Sequence, residues 1–212
     1  MAPRDANGSG VVSYQTRVEP FEVAHALREL STLRIRFDTW EPPGRYEREA
    51  IQATWSVAKP LGLRLSDAIL ARDLEDPVYG ADALTVEGGW LRPDPYTGRP
   101  VEFKWTDGPS ARTVDLDHVV SLENAWLSGA YKWTGRGRNW RSFYNDPRNL
   151  IPTSAVANRD KGARDASQWL PENQAFRPRF VILQILVKSA FNLTVSRAEL
   201  RAMRAVLAVP RP

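Results

Sequence analysis

One segment near the middle of the chain restricts the fold more than any other part of the sequence. An alternating run, Thr113–Val120, predicts a strand, and Leu150–Pro152 predicts a second, shorter strand after a long loop. Ser154 is a residue type that caps helices, and it precedes a helical pattern over Ala155–Trp169. The order of strand, loop, strand and helix predicts a hairpin followed by a helix, which is a ββα unit.

Helical patterns dominate on both sides of this unit. They predict helices over Pro20–Leu30, Tyr46–Ala58, Ser66–Leu74, Leu122–Ala130, Phe180–Ala190 and Arg197–Leu207, and alternation predicts strands over Leu84–Leu91 and Pro100–Trp105. The predicted fold class is therefore α+β, with a ββα core surrounded by helices. Residues 1–16 contain Gly, Ser and Asn without apolar periodicity, so we expect a mobile tail followed by a single domain over residues 17–212.

The composition excludes several classes of protein. The 212 residues include no cysteine, which rules out disulfides and thiolate metal sites. The longest strongly apolar stretch, Phe180–Val187, is far shorter than the roughly 20 residues of a membrane span. The first residues contain no apolar stretch of the kind found in signal peptides. We therefore expect a cytoplasmic protein with no membrane partner.

Basic residues are concentrated in the second half of the chain. Residues 112–212 carry 16 Lys and Arg against 8 Asp and Glu, although the whole chain has a net charge of only +4. This segregation favours a polyanionic partner such as DNA or RNA, and a solvated basic face is the commoner alternative. Six residues are candidate contacts to the phosphate backbone: Lys132, Arg136, Arg138, Arg141, Arg148 and Arg159.

Polar residues at the predicted ββα unit suggest chemistry. Asp117 and His118 end the alternating run, Asn149 precedes the second strand, and Asn158 and Lys161 follow on the helix. Each also has an ordinary explanation, such as a carboxylate paired with arginine, a turn asparagine or a solvated helix residue. The order of all five favours a common site over these separate explanations.

Eleven short segments, in this order, carry a resemblance to a known family. They are Arg45-Tyr-Glu-Arg48, Ala71-Arg-Asp-Leu74, Asp94-Pro-Tyr-Thr-Gly98, Asp117-His-Val-Val120, Ala125-Trp126, Ser128-Gly-Ala130, Asn145-Asp-Pro147, Asn149-Leu150, Asn158, Lys161-Gly162 and Trp169-Leu-Pro171. The sequence resembles the HNH endonucleases, also called ββα-metal nucleases, and in particular the branch named DUF1524. The resemblance implies one nuclease domain that hydrolyses phosphodiester bonds around a ββα-metal core at about residues 113–169.

The resemblance assigns a role to each polar residue. His118, as a neutral imidazole, would be the general base that activates water. Asp117 and Asn158 would hold one divalent cation through oxygen atoms, which suit Mg²⁺ or Mn²⁺. Asn149 would tie the loop together and hold the His118 ring, and Lys161 would neutralise a phosphate oxygen. Neighbouring strand residues point to opposite sides, so Asp117 and His118 can share a site only near a strand end or bulge.

The chain departs from this family in two respects. Relatives often carry a signal peptide and paired cysteines, and Leu63, Ala83, Pro178 and Pro210 stand where cysteines are expected. Their joint loss is consistent with a reducing compartment.

The alternative function is a nucleic-acid-binding module whose nuclease site is inactive or depends on a partner. Such a module would show salt-sensitive binding without metal-dependent cleavage.

Overall fold

The computed structural model describes residues 17–37, 39–51, 53–58, 62–105, 112–133 and 138–208. The predicted tail, residues 1–16, lies outside these ranges. The helices within them are α1 (Pro20–Thr32), α2 (Arg48–Ile51), α3 (Leu65–Asp73), α4 (Leu122–Leu127), α5 (Arg138–Tyr144), α6 (Ala155–Lys161), α7 (Arg177–Ala190) and α8 (Arg197–Ala208). The strands are β1 (Ile35–Arg36), β2 (Val57–Ala58), β3 (Leu63–Arg64), β4 (Glu75–Tyr79), β5 (Val86–Leu91), β6 (Val101–Lys104), β7 (Val114–His118), β8 (Leu150–Ser154) and β9 (Val195–Ser196).

The strands form small sheets and not one large sheet. β4, β5 and β6 make an antiparallel sheet in that order, and β2 pairs with β3 antiparallel. β7 pairs with β8 antiparallel, whereas β1 and β9, from opposite ends of the chain, pair in parallel. The protein is therefore a mixed α and β structure, as the sequence predicts.

β7 and β8 form an antiparallel hairpin, and α6 begins directly after β8, as the sequence predicts. The hairpin register pairs Val114 with Ser154 and His118 with Leu150. The Ser154 hydroxyl accepts a hydrogen bond from the backbone N–H of Ala157 and so caps α6. α6 ends at Lys161, because Gly162 has a positive φ of 52° and its N–H turns back to the carbonyl of Asn158. The expected helix to Trp169 is therefore too long.

α7 lies at the centre of the main hydrophobic core. Phe180, Val181, Ile182 and Ile185 of this helix are almost fully buried, and side chains of α1 and α8 pack in the same cluster. A second cluster holds the buried rings of Trp140 and Phe143 from α5. Ile151 of β8 belongs to the first cluster, whereas Leu150 of β8 and Leu116 of β7 pack in a smaller cluster with side chains of α3. None of the helices in the described ranges is long and apolar enough to be a membrane span.

The structure differs most from the sequence prediction at residues 46–58. The expected helix there reduces to α2, and the chain then enters β2. The side chain of Asn145 holds this segment extended, since it accepts from the N–H of Ser56 at 2.7 Å and donates to the carbonyl of Thr54 at 3.0 Å. No strand is predicted at β4, which contains Pro77. β4 is an edge strand, where proline is tolerated.

Candidate functional site

A polar cleft of about 270 Å³ lies beside the end of the β7–β8 hairpin. Its lining includes Asp117 and His118 from β7 and Asn158 from α6. β7 ends at His118, which allows neighbouring residues to line the same cleft although they alternate along the strand. The other charged residues in the lining are Arg48 and Glu123. The cleft thus brings together three of the five polar residues singled out in the sequence.

The His118 ring is held by one hydrogen bond and by aromatic contacts. Its Nε2 lies 2.9 Å from the backbone carbonyl oxygen of Tyr144, which can only accept, so Nε2 carries the proton. The rings of Trp55 and Phe143 lie nearly parallel to the imidazole, at centroid distances of 6.0 and 6.3 Å. The other ring nitrogen, Nδ1, therefore keeps its lone pair in the neutral tautomer.

Burial makes the imidazole neutral. Desolvation lowers the pKa of His118 to about 4, with smaller contributions of the same sign from the cations Lys161 and Arg48. The hydrogen bond to Tyr144 opposes this shift, because it favours the charged form. At neutral pH the ring is consequently uncharged and able to accept a proton.

Asp117 is the centre of a buried hydrogen-bonded group. Its Oδ1 accepts from the Lys161 ammonium at 2.9 Å, and its Oδ2 accepts from the Tyr96 hydroxyl at 2.5 Å. Lys161 also donates to the carbonyl oxygen of His118 at 3.0 Å. Burial raises the pKa of the Asp117 carboxyl, and Lys161 and Tyr96 act in the opposite direction. The structure thus places Lys161 behind Asp117, with its ammonium buried, and not at an exposed phosphate position.

Asn149 fixes the backbone just after His118. It is fully buried, its Oδ1 accepts from the N–H of Val120 at 2.8 Å, and its Nδ2 donates to the carbonyl of Val120 at 3.2 Å. The N–H of Val119 donates to the carbonyl of Asn149, which extends the hairpin by one more bond. Asn149 therefore holds the loop, whereas the imidazole ring itself is held by Tyr144.

The donor chemistry of the cleft fits a hard divalent cation. Asn158 donates through Nδ2 to Asp115 at 3.3 Å, which leaves its Oδ1 as an acceptor. Each carboxylate oxygen of Asp117 retains a second lone pair beyond its hydrogen bond. The described part of the chain contains no group of three or more His, Asp and Glu side chains suited to a metal. Asp117 and Asn158 are the residues of this cleft that would hold such an ion through side-chain oxygen atoms.

The candidate phosphate contacts are dispersed. Arg148 is paired with Asp146, with its Nη2 2.6 Å from a carboxylate oxygen, so its charge is already offset. Lys132 lies in a separate groove next to Tyr131, and the side chains of Arg141 and Arg159 are exposed. Arg136 lies outside the described residues, as does the side chain of Arg138.

Sequence reasoning missed two functional candidates. Tyr96 comes from the turn between β5 and β6, where an aromatic residue gives no hint of a distant carboxylate partner. Arg48 stands in a segment that carried the resemblance, but only the structure places its side chain in the cleft lining. A basic residue at the start of a short helix has no periodic signal that marks a site.

The prediction of a cytoplasmic protein is contradicted by a relative. A protein of Arthroderma benhamiae named "Uncharacterized secreted protein" is 35% identical over 168 residues, which are 78% of this chain and 76% of the relative. The prediction rested on the lack of cysteine and on the composition of the first residues. Neither observation fixes a compartment. In particular, an oxidising compartment permits disulfides without requiring them, so a secreted protein can lack cysteine.

The other comparisons give no match. No family model matches the sequence, and no solved structure matches the fold. The similarity to the relative is a similarity of sequence, and it extends over most of both chains. On this similarity, the chain belongs to the same family as the secreted protein of Arthroderma benhamiae.

Proposed function

We propose that this protein is an endonuclease that hydrolyses phosphodiester bonds of DNA, with β7, β8 and α6 as an HNH-type ββα-metal core. One observation carries the proposal. A neutral imidazole with an unprotonated Nδ1 lines the same cleft as the Asp117 carboxylate and the Asn158 side chain. Phosphodiester hydrolysis requires a proton acceptor for water beside groups that neutralise the phosphoryl charge.

His118 would be the general base. Its Nδ1 accepts a proton from the attacking water, and the resulting imidazolium keeps its Nε2–H bond to the carbonyl of Tyr144. The fixed ring orientation means that the lone pair does not have to be reoriented during the reaction. Arg48, in the same lining, would bind a non-bridging phosphate oxygen through its guanidinium.

Asp117 and Asn158 would hold a Mg²⁺ or Mn²⁺ ion. When bound, such an ion would polarise the phosphoryl group and stabilise charge on the leaving oxygen. Lys161 and Tyr96 fix the Asp117 carboxylate in place through their two hydrogen bonds. Asn149 fixes the backbone at Val120, two residues after His118, and so limits the movement of the general base.

A nicking assay on supercoiled plasmid tests this proposal. Mg²⁺ or Mn²⁺ should support nicking, and EDTA should abolish it. His118→Ala should lower the rate about 100-fold to 10,000-fold, the usual contribution of a general base. His25→Ala is the matched control, because it removes the other histidine from an exposed position on α1. A His118→Ala protein that is folded and nicks as fast as wild type would end the proposal.

The second candidate function is a nucleic-acid-binding module without its own cleavage activity. It is favoured by the ion pair between Lys161 and Asp117, since an ammonium at 2.9 Å competes with a cation for the same carboxylate. This function predicts DNA binding that weakens steeply with salt. It also predicts that no divalent cation supports nicking by the purified protein.

A further inference from the structure

A second concave surface, here called the β1 groove, lies along β1 and the loop that follows it. It has a volume of about 300 Å³, and its lining includes Arg34, Arg36, Phe37, Trp40, Tyr131 and Lys132. This groove is distinct from the cleft that contains His118, since the two linings share no residue. Its combination of rings and cations differs from an ordinary solvated surface.

Apolar side chains are strongly exposed in the β1 groove. The side chain of Phe37 is 72% exposed and that of Ile35 is 52% exposed. Both lie at β1, which is anchored by its parallel pairing with β9. Trp40 and Tyr131 stand together in the same lining, with ring centroids 5.3 Å apart. The groove therefore offers several flat apolar faces on an anchored backbone.

Two cations in the groove have no carboxylate partner among the described residues. Lys132 is exposed, with its ammonium 5.5 Å from the centroid of the Tyr131 ring. Arg34 is exposed and donates only to the backbone carbonyl of Asn192, at 3.2 Å. In contrast, Arg36 faces Glu199 and Asp165, at 3.5 and 3.8 Å, so its charge is offset. Among the described residues, Arg34 and Lys132 thus place two positive charges beside the rings without a carboxylate partner.

A series of aromatic rings connects the groove with the cleft. Tyr131 lies next to Trp126, and Trp126 lies next to Tyr46, with centroid distances of 6.3 Å in both cases. Tyr46 is part of the lining of the cleft that contains His118. A ligand chain that leaves the cleft along these rings would reach Trp40 and Phe37.

We propose that the β1 groove binds unpaired nucleotides of single-stranded DNA, adjacent to the phosphodiester held in the cleft. Bases would stack on Phe37 and Trp40, and phosphates would contact Arg34 and Lys132. Aromatic platforms interleaved with cations bind single strands without sequence preference, because every base has a flat face. The inference rests on the proposed nuclease function, and it identifies the substrate as single-stranded or locally unpaired DNA.

Fluorescence anisotropy with a labelled oligonucleotide tests the groove separately from catalysis. The probe is a single strand of about 12 nucleotides, compared with the same sequence as a duplex, and EDTA is present so that nothing is cut. The single strand should bind more tightly than the duplex. Phe37→Ala should weaken single-strand binding about tenfold, through loss of stacking, without changing its salt dependence.

Removal of the two positive charges should change the salt dependence of binding, which Phe37→Ala leaves unchanged. The double variant Arg34→Gln/Lys132→Gln should reduce the slope of log affinity against log salt by about 1.4, the value for two lost phosphate contacts on a single strand. Arg204→Gln is the matched control, since it removes an exposed arginine of α8 that is not in the groove lining. This control should bind like the wild type.

The outcomes separate this inference from the nuclease proposal. If wild type nicks plasmid but Phe37→Ala and the double variant bind the single strand unchanged, the groove inference is wrong and the nuclease proposal stands. If groove-dependent binding is found but no cation supports nicking, the nuclease proposal fails instead. If Phe37→Ala turns a dimer into a monomer in sedimentation without affecting DNA binding, the groove is a self-association surface and the inference is overturned.

Discussion

Acidification should destabilise this protein through His118. Burial lowers the pKa of the folded imidazole from 6.5 to about 4. The unfolded chain, with its imidazole in water, therefore binds a proton more readily than the folded protein does. Stability due to the neutral ring is present in full above about pH 6.5 and is lost as the pH falls towards 4.

The size of this effect follows from the pKa difference. About 2.5 pKa units correspond to about 3 kcal/mol of unfolding free energy, and about 2 kcal/mol of it should be lost between pH 7 and pH 5. Asp117 acts with the opposite sign, because its raised pKa makes the folded protein take up that proton more readily. The contribution of His118 is therefore isolated by comparing variants and not from the wild type alone.

Urea unfolding of wild type and His118→Gln, each at pH 7, 6 and 5, measures the contribution. The wild type should lose about 2 kcal/mol more than the variant over this interval. His25→Gln is the matched control, because it removes the other histidine from an exposed helix surface. Equal losses in wild type and His118→Gln would refute the reasoning, as would an NMR titration of the His118 ring with a midpoint near its ordinary value.

Three further substitutions test the buried polar groups. Lys161→Met should lower the unfolding free energy by about 3–5 kcal/mol, because it leaves the Asp117 carboxylate buried without its cation; a loss below 1 kcal/mol in urea unfolding would contradict this. Tyr96→Phe should cost about 1.5–3 kcal/mol through the lost hydrogen bond to the same carboxylate, and an unchanged midpoint in thermal unfolding would show that the bond contributes nothing. Lys188→Met should be more destabilising by urea unfolding than the double variant Lys188→Met/Glu199→Leu, since the single variant leaves the buried Glu199 carboxylate with only Arg36, at 3.5 Å, as a cationic partner. The reverse order would disprove the stabilising role of the ion pair between α7 and α8.

Local signals in the sequence predicted the elements that carry the site. The alternation before His118, the cap at Ser154 and the helical spacing over Arg197–Leu207 are all short-range patterns. The structure contains β7, α6 and α8 at these places, and the Ser196 hydroxyl accepts from the N–H of Glu199 at 3.0 Å. Such patterns depend on neighbours within a few residues, so one sequence is enough to recognise them.

Long-range contacts account for what the sequence did not predict. Residues 46–58 have helical spacing, but Asn145, about ninety positions later in the chain, holds part of that segment extended. Lys161 looked available for a phosphate because its partner, Asp117, comes from another element. The bond from Tyr96 to the same carboxylate was not predicted for the same reason. The partners of a buried polar side chain are decided by tertiary packing, which periodicity does not encode.

The pairing of β1 with β9 means that the fold can form fully only after nearly the whole chain has been synthesised. β1 is joined to β9 by the bond from the N–H of Val195 to the carbonyl of Arg34, and Arg179 of α7 forms an ion pair with Glu22 of α1. During synthesis, α1 and β1 are therefore made long before their partners α7 and β9. Contacts of such large sequence separation slow folding and leave apolar surface uncovered meanwhile. A chain truncated before Val195 would lack β9, so its β1 would have no strand to pair with.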